Sequence, residues 1–252
     1  MPDKRRHRGK HPQDDTLFSP ARLSGLRSAA DDLALLLTRG YAEKSALKLV
    51  GDRYDLTARQ RTAVWRSACS DQALQRRRST RVATDRLCGA RLGVDGYNLL
   101  ITVESALSGG LVLIGCDGCC RDLASIHGTY RKVEETEPAL RLIFDCLAEL
   151  APARIDWYLD RPVSNSGRLK TLIADLLERM ADTHDPWPST IWNIELVNNP
   201  DATLSQYDGI IASSDSLVLD NSGQWSNLSA HIIAACIPGA WIVDLSVTAA
   251  AR

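Results

Sequence analysis

The feature that most constrains this chain is the alternation of short apolar runs with helical patterns from residue 91 onward. The runs have the length and the β-branched content of buried strands. The stretches between them repeat apolar residues at three- and four-residue steps, which is typical of helices. Because parallel strands need a long crossover connection, strands that alternate with helices predict a parallel sheet. The predicted strands cover residues 92–94, 111–114, 155–159, 191–197, 209–212 and 241–243.

The helices predicted between these strands cover residues 99–106, about 134–150, 168–181 and 228–236. Strands that are buried on both faces have near-continuous apolar sequences, as these runs do. Residues 88–252 are therefore predicted to form an α/β domain, with a mostly parallel sheet and helices on both of its faces.

Residues 16–75 have a different pattern, which predicts a small all-α domain ahead of the α/β domain. Ser19-Pro20 is a typical helix start, and apolar residues follow it at helical spacing up to Gly40, a typical helix stop. Further helices are predicted over 43–54 and after Thr57, an N-cap residue. Two helices joined by a short turn are compatible with a helix-turn-helix and with a small bundle, and the sequence slightly favours the bundle.

The net charge of −1 conceals a strong asymmetry along the chain. Residues 1–92 contain 20 Lys and Arg against 10 Asp and Glu, whereas residues 93–252 contain 10 against 21. The basic part suggests contact with a polyanion such as nucleic acid, although solvated surface charge explains the same counts. Its ends are a basic tail over 1–15, predicted to be disordered, and a charged linker predicted over 76–87.

The seven cysteines are an odd number at irregular spacing, and the N-terminus lacks the apolar segment of a secretory signal. Reduced thiols in the cytoplasm are therefore expected in place of a disulfide framework. The CDGCC stretch at 116–120 holds one C-x-x-C without a second pair at zinc-finger spacing, so structural zinc is not predicted. No apolar run approaches the roughly 18 residues of a membrane span, so no membrane partner is expected.

Aspartates follow several predicted strands, at the edge where ligands bind in an open parallel sheet. Asp95 and Asp160 directly follow two of the strands, and Asp215 follows another after two serines. Each aspartate alone is compatible with a helix cap or a turn. Together at one edge, carboxylates repel each other unless a cation lies between them, and oxygen ligands suit Mg²⁺ or Mn²⁺. The three aspartates therefore predict a shared metal site.

Three motifs around these aspartates resemble the NYN branch of the PIN-like nucleases. VDGYNLL at 94–100 is similar to a first strand that ends in aspartate, with an asparagine three residues later. YLDRPVSNSG at 158–167 resembles a strand that ends in Asp before a small polar loop. IIASSDS at 210–216 resembles a late strand that ends in Ser-Asp. The resemblance covers about 88–245, and the basic helical N-terminal domain is similar to that of an uncharacterised prokaryotic family.

The resemblance implies a PIN-like, Rossmann-like fold and metal-dependent cleavage of phosphodiester bonds, in RNA in preference to DNA. Carried over to this chain, it implies Asp95, Asp160 and Asp215 as catalytic metal ligands. It also implies Asn98 as a catalytic support beside the metal, which would be Mg²⁺ or Mn²⁺.

PIN-like sites usually contain a further acid in an Ala-Asp-Asp motif, which this chain lacks. Asp201 at a predicted helix start is one substitute, and Asp122 or Glu104 is another. The missing motif keeps an alternative function open, that of a catalytically inactive PIN-like protein that binds nucleic acid or regulates it.

Six cations are candidates for contact with the nucleic-acid backbone, which Lys and Arg neutralise. They are Arg161, Arg168 and Lys170 beside the predicted site, and Arg76, Arg77 and Arg78 in the predicted linker. For the first three, solvated surface is an equally good explanation. The basic tail would add to this contact, and a homo-oligomer is compatible with the sequence.

Overall fold

A computed structural model describes residues 6–124, 128–183 and 189–246 of the chain. A helical region precedes an α/β region, as predicted, and the six predicted strands are all confirmed. In the part of the chain that is described, no helix combines the length and the apolar character needed to cross a membrane. The helices of the first region are α1 (Asp14–Leu17), α2 (Pro20–Thr38), α3 (Glu43–Arg53), α4 (Ala58–Ser67) and α5 (Asp71–Thr80).

Apart from the second and third strands, which are consecutive, the elements of the α/β region alternate between strands and helices, and the four predicted helices are present. In chain order they are β1 (Arg91–Asp95), α6 (Gly96–Leu107), β2 (Leu111–Ile114), β3 (Cys120–Asp122), α7 (Thr136–Leu150), β4 (Arg154–Asp160), α8 (Ser166–Thr183), β5 (Ile191–Val197), α9 (Pro200–Ser205), β6 (Ile210–Ala212), α10 (Ser216–Asn221), β7 (Gln224–Trp225), α11 (Leu228–Cys236) and β8 (Trp241–Asp244).

The larger sheet is five-stranded and entirely parallel, in the order β5-β4-β1-β6-β7. β1 therefore lies at its centre. Asp95 at the end of β1 is level with Tyr158 of β4, and the preceding Val94 is level with Ala212 of β6. This register brings the carboxyl ends of the three central strands to one edge.

The other strands form a second, three-stranded sheet in the order β3-β2-β8. The expectation of a single sheet is therefore corrected: β2 and β8, which were predicted to belong to it, pair with each other instead. Strand order depends on how the crossovers pack, and the apolar periodicity of each strand does not encode it. Asp117, Asp122 and Asp244 follow or end strands of this smaller sheet.

Helices cover both faces of the five-stranded sheet, as predicted. Leu92 and Trp157 belong to a core that β1 and β4 share with α6, α7, α8 and α11. On the other face, Tyr158 and Ile211 pack with Leu204 of α9 and other residues of α10 and β7. α6 also packs against the three-stranded sheet, so it lies between the two sheets.

The helical region packs directly on the three-stranded sheet. Leu33 of α2 and Val64 of α4 share one apolar core with Leu113 of β2 and Val243 of β8. α4 begins at a capping box, in which Thr57 and Gln60 each bond the backbone N–H of the other, so the predicted N-cap is confirmed.

The segment predicted as a charged linker is mostly helical, since α5 extends to Thr80 and a short 3₁₀ helix follows over Thr84–Leu87. Ser70 caps this helix by accepting a hydrogen bond from the backbone N–H of Ala73. The buried side chain of Arg77 joins α5 to the α/β region. The run of three arginines at 76–78, which was predicted to be exposed, thus contains one buried residue, Arg77.

The basic tail also differs from its prediction. Residues 1–5 lie outside the described residues, but residues 6–15 lie against the rest of the protein. Arg8 donates through Nε to the buried carboxylate of Glu104 at 2.8 Å, and His7 bonds Glu135 at 2.7 Å. Asp14 is fully buried and accepts a hydrogen bond from Arg59 Nη2 at 2.7 Å. Charge pairs therefore hold this segment against the protein, and their partners Glu104, Glu135 and Arg59 lie far away in the sequence.

Candidate active site

Asp95 stands where β1 turns without a loop into α6. Its side chain accepts a hydrogen bond from the backbone N–H of Asn98 at 3.3 Å and so caps the helix. Gly96 makes the turn possible, because a Cβ there would lie 2.7 Å from the carbonyl oxygen of Tyr158. The short stretch Asp-Gly therefore ends the strand, starts the helix and leaves the carboxylate at the sheet edge.

The carboxyl group of Asp95 is almost enclosed, with 8% of the residue exposed. Burial raises its pKa to about 7, although the hydroxyl of Ser213, which donates to Oδ2 at 2.8 Å, opposes this shift. The charges of Asp215 and Asp201 raise the pKa further. Asp95 is thus an acid that gains and loses its proton near neutral pH.

Asp160 ends β4, two residues beyond the level of Asp95. Its Oδ1 is buried and has no hydrogen-bond partner among the described residues. Burial raises the pKa of this carboxyl group as well. A buried carboxylate oxygen without a donor is unfavourable unless a ligand occupies the site.

Asp215 and Asp201 complete the arrangement. Asp215 caps α10, with Oδ1 accepting from the backbone N–H groups of Leu217 at 2.8 Å and Val218 at 3.3 Å. Asp201 lies in the first turn of α9, and burial followed by the charges of Asp215 and Asp160 raises its pKa. Asp95, Asp160, Asp201 and Asp215 are called the edge acids below and come from four elements. The charge of Asp215 acts on both Asp95 and Asp201, the charge of Asp201 acts on Asp95, and that of Asp160 acts on Asp201.

Asn98 holds the loop that carries Asp215. Its Oδ1 accepts hydrogen bonds from the backbone N–H and from the hydroxyl of Ser214, both at 2.9 Å. The resemblance implied a polar support at this position. In the structure Asn98 joins the start of α6 to the loop after β6, and so fixes two of the edge acids relative to each other.

A buried ion cluster lies behind the same loop. Asp117 accepts from Arg77 Nη1 at 2.7 Å and from Arg121 Nη2 at 2.6 Å, and Arg121 Nε donates to the carbonyl oxygen of Ser214 at 2.8 Å. Although burial raises the pKa of Asp117, the guanidinium of Arg121 and then that of Arg77 hold it well below its usual range. Asp117, Arg77 and Arg121 are called the buried ion cluster below.

Two of the three predicted substitutes for the fourth acid have other partners. Glu104 is fully buried and accepts from Arg8 Nε and from the hydroxyls of Tyr130 and Thr136, the latter two at 2.6 Å. Asp122 accepts from the hydroxyl of Thr102 at 3.1 Å and from a backbone N–H. The structure therefore places Asp201, rather than Glu104 or Asp122, with the other edge acids.

The six candidate cations also divide into one that is buried with other partners and five that are exposed. The expectation for Arg77 is corrected, because its buried guanidinium donates to Asp117 and to Asp220 and is not available to a phosphate. The other five side chains are on exposed residues, with Arg161 next to Asp160 and donating to the carbonyl oxygen of Leu196 at 2.7 Å. These five are Arg76 and Arg78 on α5, Arg161 after β4, and Arg168 and Lys170 on α8.

A cleft of about 580 Å³ opens between the helical region and the loop that carries Asp215. Trp65 and Ala73 line it from α4 and α5, and Asn98, Asp215 and Leu217 line it from the α/β region. Trp65 is 43% exposed and Leu217 is 66% exposed. The cleft thus joins an accessible aromatic side chain to one of the edge acids.

Direct ligation of a metal by three protein side chains is not preformed: the described residues contain no group of three or more His, Cys, Asp or Glu placed to hold one ion. The donor chemistry nevertheless fits Mg²⁺ or Mn²⁺, because the edge acids offer only oxygens and Asp160 has a buried oxygen without a partner. Mg²⁺ usually keeps several waters and binds through one or two carboxylates. The edge acids therefore fit a hydrated divalent ion.

Two supports of this site had no clear sequence signal. Ser213 bonds Asp95, and the two serines before Asp215 were the only hint of such a role. The hydroxyl of Ser166 contacts that of Tyr97 at 2.6 Å and donates to the carbonyl oxygen of Asp160. Ser166 therefore ties the start of α8 to the first turn of α6 and to the end of β4.

Residues 84–231, which include all four edge acids, match a family described as a domain of unknown function, DUF5616. Residues 25–80 match a second family, described as a protein of unknown function, DUF434. The uncharacterised protein MJ0935 of Methanocaldococcus jannaschii is 26% identical over 194 residues, which cover 77% of this chain and 88% of that protein. No solved structure matches the chain.

Proposed function

We propose that this chain, which belongs to the DUF5616 family, is a PIN-like, Mg²⁺- or Mn²⁺-dependent nuclease that cleaves RNA in preference to DNA. The observation that carries the proposal is the convergence of four carboxylates from four elements, in which Asp201 and Asp215 raise the pKa of Asp95. Such a cluster is unfavourable without a cation, and divalent ions are the usual cations in phosphodiester cleavage. The preference for RNA comes from the NYN resemblance alone.

In this proposal the protein holds the carboxylates that would bind the metal in fixed positions. Two backbone N–H groups of α10 fix Asp215 through Oδ1, which leaves Oδ2 for a ligand. Ser213 and the N–H of Asn98 fix Asp95. A bound divalent ion would lower the pKa of a water molecule and stabilise charge on the phosphate. Asn98 and the buried ion cluster keep the loop before α10 in place, so the acids are pre-organised.

The cleft beside the edge acids supports a nucleic-acid substrate. A phosphate at the edge acids places the adjoining nucleotide near Asp215, and Trp65 lies in the same cleft with an exposed indole ring. Aromatic side chains stack on unpaired bases with little dependence on sequence. Arg161 lies directly after Asp160, where it is accessible to the phosphate backbone.

The experiment is calorimetric titration with Mn²⁺ and Mg²⁺ for the wild type, Asp95→Asn and Asp215→Asn, with cleavage of single-stranded RNA followed in the same samples. Both variants are expected to lose metal binding and cleavage. Asp208→Asn is the matched control, because Asp208 lies before β6, at the opposite end from Asp215, and its side chain is 97% exposed. It should behave as the wild type.

Two other results separate the alternatives. A wild type that binds metal and retains RNA without cleaving it would favour the catalytically inactive, nucleic-acid-binding function. A wild type that binds neither ion would contradict the metal site, and the edge acids would then be caps and turn residues.

A further inference from the structure

Cys69 and Cys116 bring the helical region and the α/β region together through two thiols, whose Sγ atoms are 3.1 Å apart. Cys69 lies between α4 and α5, and Cys116 follows β2. The backbone N–H of Cys116 donates to the carbonyl oxygen of Ser67 at 2.8 Å, so the two backbone segments are held beside each other. We propose that Cys69 and Cys116 are a modification site, at which a low-molecular-weight disulfide oxidises the pair to a reversible intramolecular disulfide.

Access and surroundings distinguish this pair from the other cysteines. Cys116 is half-buried, so a small oxidant can reach it first. Cys69 is buried but lies in the cleft wall, with its Sγ already beside that of Cys116. The hydrogen bond with Cys116 and burial raise the pKa of Cys69, which therefore stays a thiol, whereas the hydrogen bond from Cys69 lowers the pKa of Cys116. Cys119, Cys120 and Cys146 are also buried but do not line the cleft, and Cys88 and Cys236 are exposed.

Cys116 is the first nucleophile of the pair. The thiol of Cys69 hydrogen-bonds its sulfur, which lowers the pKa of Cys116. A thiolate is the attacking species in thiol–disulfide exchange. Lowering the thiol pKa therefore increases the fraction of Cys116 that reacts.

The exchange balances as two substitutions at sulfur. The Cys116 thiolate attacks one sulfur of the small disulfide, whose S–S bond breaks and releases one thiolate. Cys69 then gives its proton to that thiolate and attacks Sγ of Cys116, which releases the second small thiol after protonation. The protein loses two thiol hydrogens, and the small disulfide is reduced to two thiols.

The consequence is a covalent link across the cleft wall. Cys69 immediately precedes the Ser70 cap of α5, so the bond would fix this end of the helix to the smaller sheet. A cross-link restricts the unfolded chain and so stabilises the folded state. We expect the oxidised protein to melt about 5–10 °C higher than the reduced protein.

The test is incubation of the full chain with glutathione disulfide, followed by blocking of free thiols, digestion with trypsin and mass spectrometry. The expected product is a peptide of residues 67–76 linked to residues 92–121, which separates after reduction. Cys69→Ser and Cys116→Ser should abolish it. Cys119→Ala is the matched control, because Cys119 lies in the same tryptic peptide as Cys116, and the link should persist in this variant.

The proposal is overturned if Cys88 and Cys236 become modified in the wild type while the linked peptide stays absent. It is also overturned if the link persists in Cys116→Ser, which would place the bond at Cys119 or Cys120. The wild-type peptide map needs no variant to fold. It is also independent of RNA cleavage, so the nuclease proposal and the disulfide proposal can fail separately.

Discussion

The edge acids and the buried ion cluster lie on two sides of one loop, at 213–216. The carboxylate of the buried ion cluster is paired with cations, and within the described part of the chain the carboxylates of the edge acids are not. Asp117 in the buried ion cluster is bonded by two guanidinium groups. Among the described residues, no Lys or Arg forms an ion pair with any of the edge acids. Asp95 and Asp215 are held by hydroxyl and backbone N–H groups instead.

This difference distinguishes a carboxylate that stabilises the fold from carboxylates that are candidates for a function. A buried carboxylate that is fully paired contributes to a defined fold, and losing one partner is costly. Carboxylates that are grouped without a cation reduce stability, and proteins retain such conflicts mainly at functional sites. The comparison therefore predicts opposite effects of the same Asp→Asn change in the two places.

The largest expected effect is that of Asp117→Asn. It leaves Arg77 and Arg121 buried without their shared carboxylate, so we expect a loss of about 3–5 kcal/mol in the free energy of unfolding. Urea denaturation at pH 7 measures this loss. Asp220→Asn is the control, because the Asp220 side chain is 34% exposed and contacts one of the two arginines, so its loss should be smaller. Equal losses would break the comparison.

The second prediction concerns Asp95→Asn, which should increase the free energy of unfolding by an amount that depends on pH. Asp95 has a pKa of about 7 in the folded protein, above its value of 3.8 in a free chain, so the folded state binds the extra proton between these values. The wild type should lose up to about 1.4 kcal/mol of stability per pH unit as pH rises from 4 to 7. Asp95→Asn cannot ionise and escapes this loss. Urea curves at pH 5 and pH 8 measure the stability of this variant relative to the wild type, which should be greater at pH 8. Parallel pH profiles of the two proteins would contradict the raised pKa of Asp95.

Trp65→Ala tests the cleft, whose lining includes Asp215 of the edge acids and both arginines of the buried ion cluster. Trp65 is 43% exposed and its Nε1 donates to Glu43, so the free energy of unfolding should fall by no more than about 1–2 kcal/mol. Loss of one stacked base should weaken binding of single-stranded RNA by about 1–2 kcal/mol, measured by fluorescence anisotropy of a labelled oligonucleotide. Trp65→Phe should recover part of the affinity. Leu49→Ala, on the exposed surface of α3, is the control, and an equal loss in that variant would argue against stacking.

The smallest expected effect tests whether Asp201 belongs to the edge acids. Removing its charge in Asp201→Asn should lower the pKa of Asp95 by less than about one unit, because burial is the main cause of the shift. Carboxyl-carbon NMR of labelled aspartate follows this titration directly. An unchanged pKa of Asp95 would remove Asp201 from the cluster.

The sequence predicted the elements of the fold and the strand-end positions of three of the edge acids, because both follow from local patterns. Apolar runs located the strands, and Asp95, Asp160 and Asp215 stood at their ends. The division into two sheets was not predictable, because it depends on the packing of crossovers. The burial of Arg77 was hidden within a run of three arginines. Glu104 could not be assigned, because Arg8, its ion-pair partner, lies 96 residues away in the sequence.

The apolar core that joins α2 and α4 to β2 and β8 has a consequence for how the chain unfolds and how its proteolytic fragments behave. Neither the helical region nor the smaller sheet has a complete apolar interior of its own, since Leu33 and Val243 belong to the same core. A protease that cut the chain near Val82 would therefore leave two fragments that remain associated. Calorimetry of the intact chain should then give one melting transition for the helical region and the smaller sheet, because neither can unfold while the other stays native.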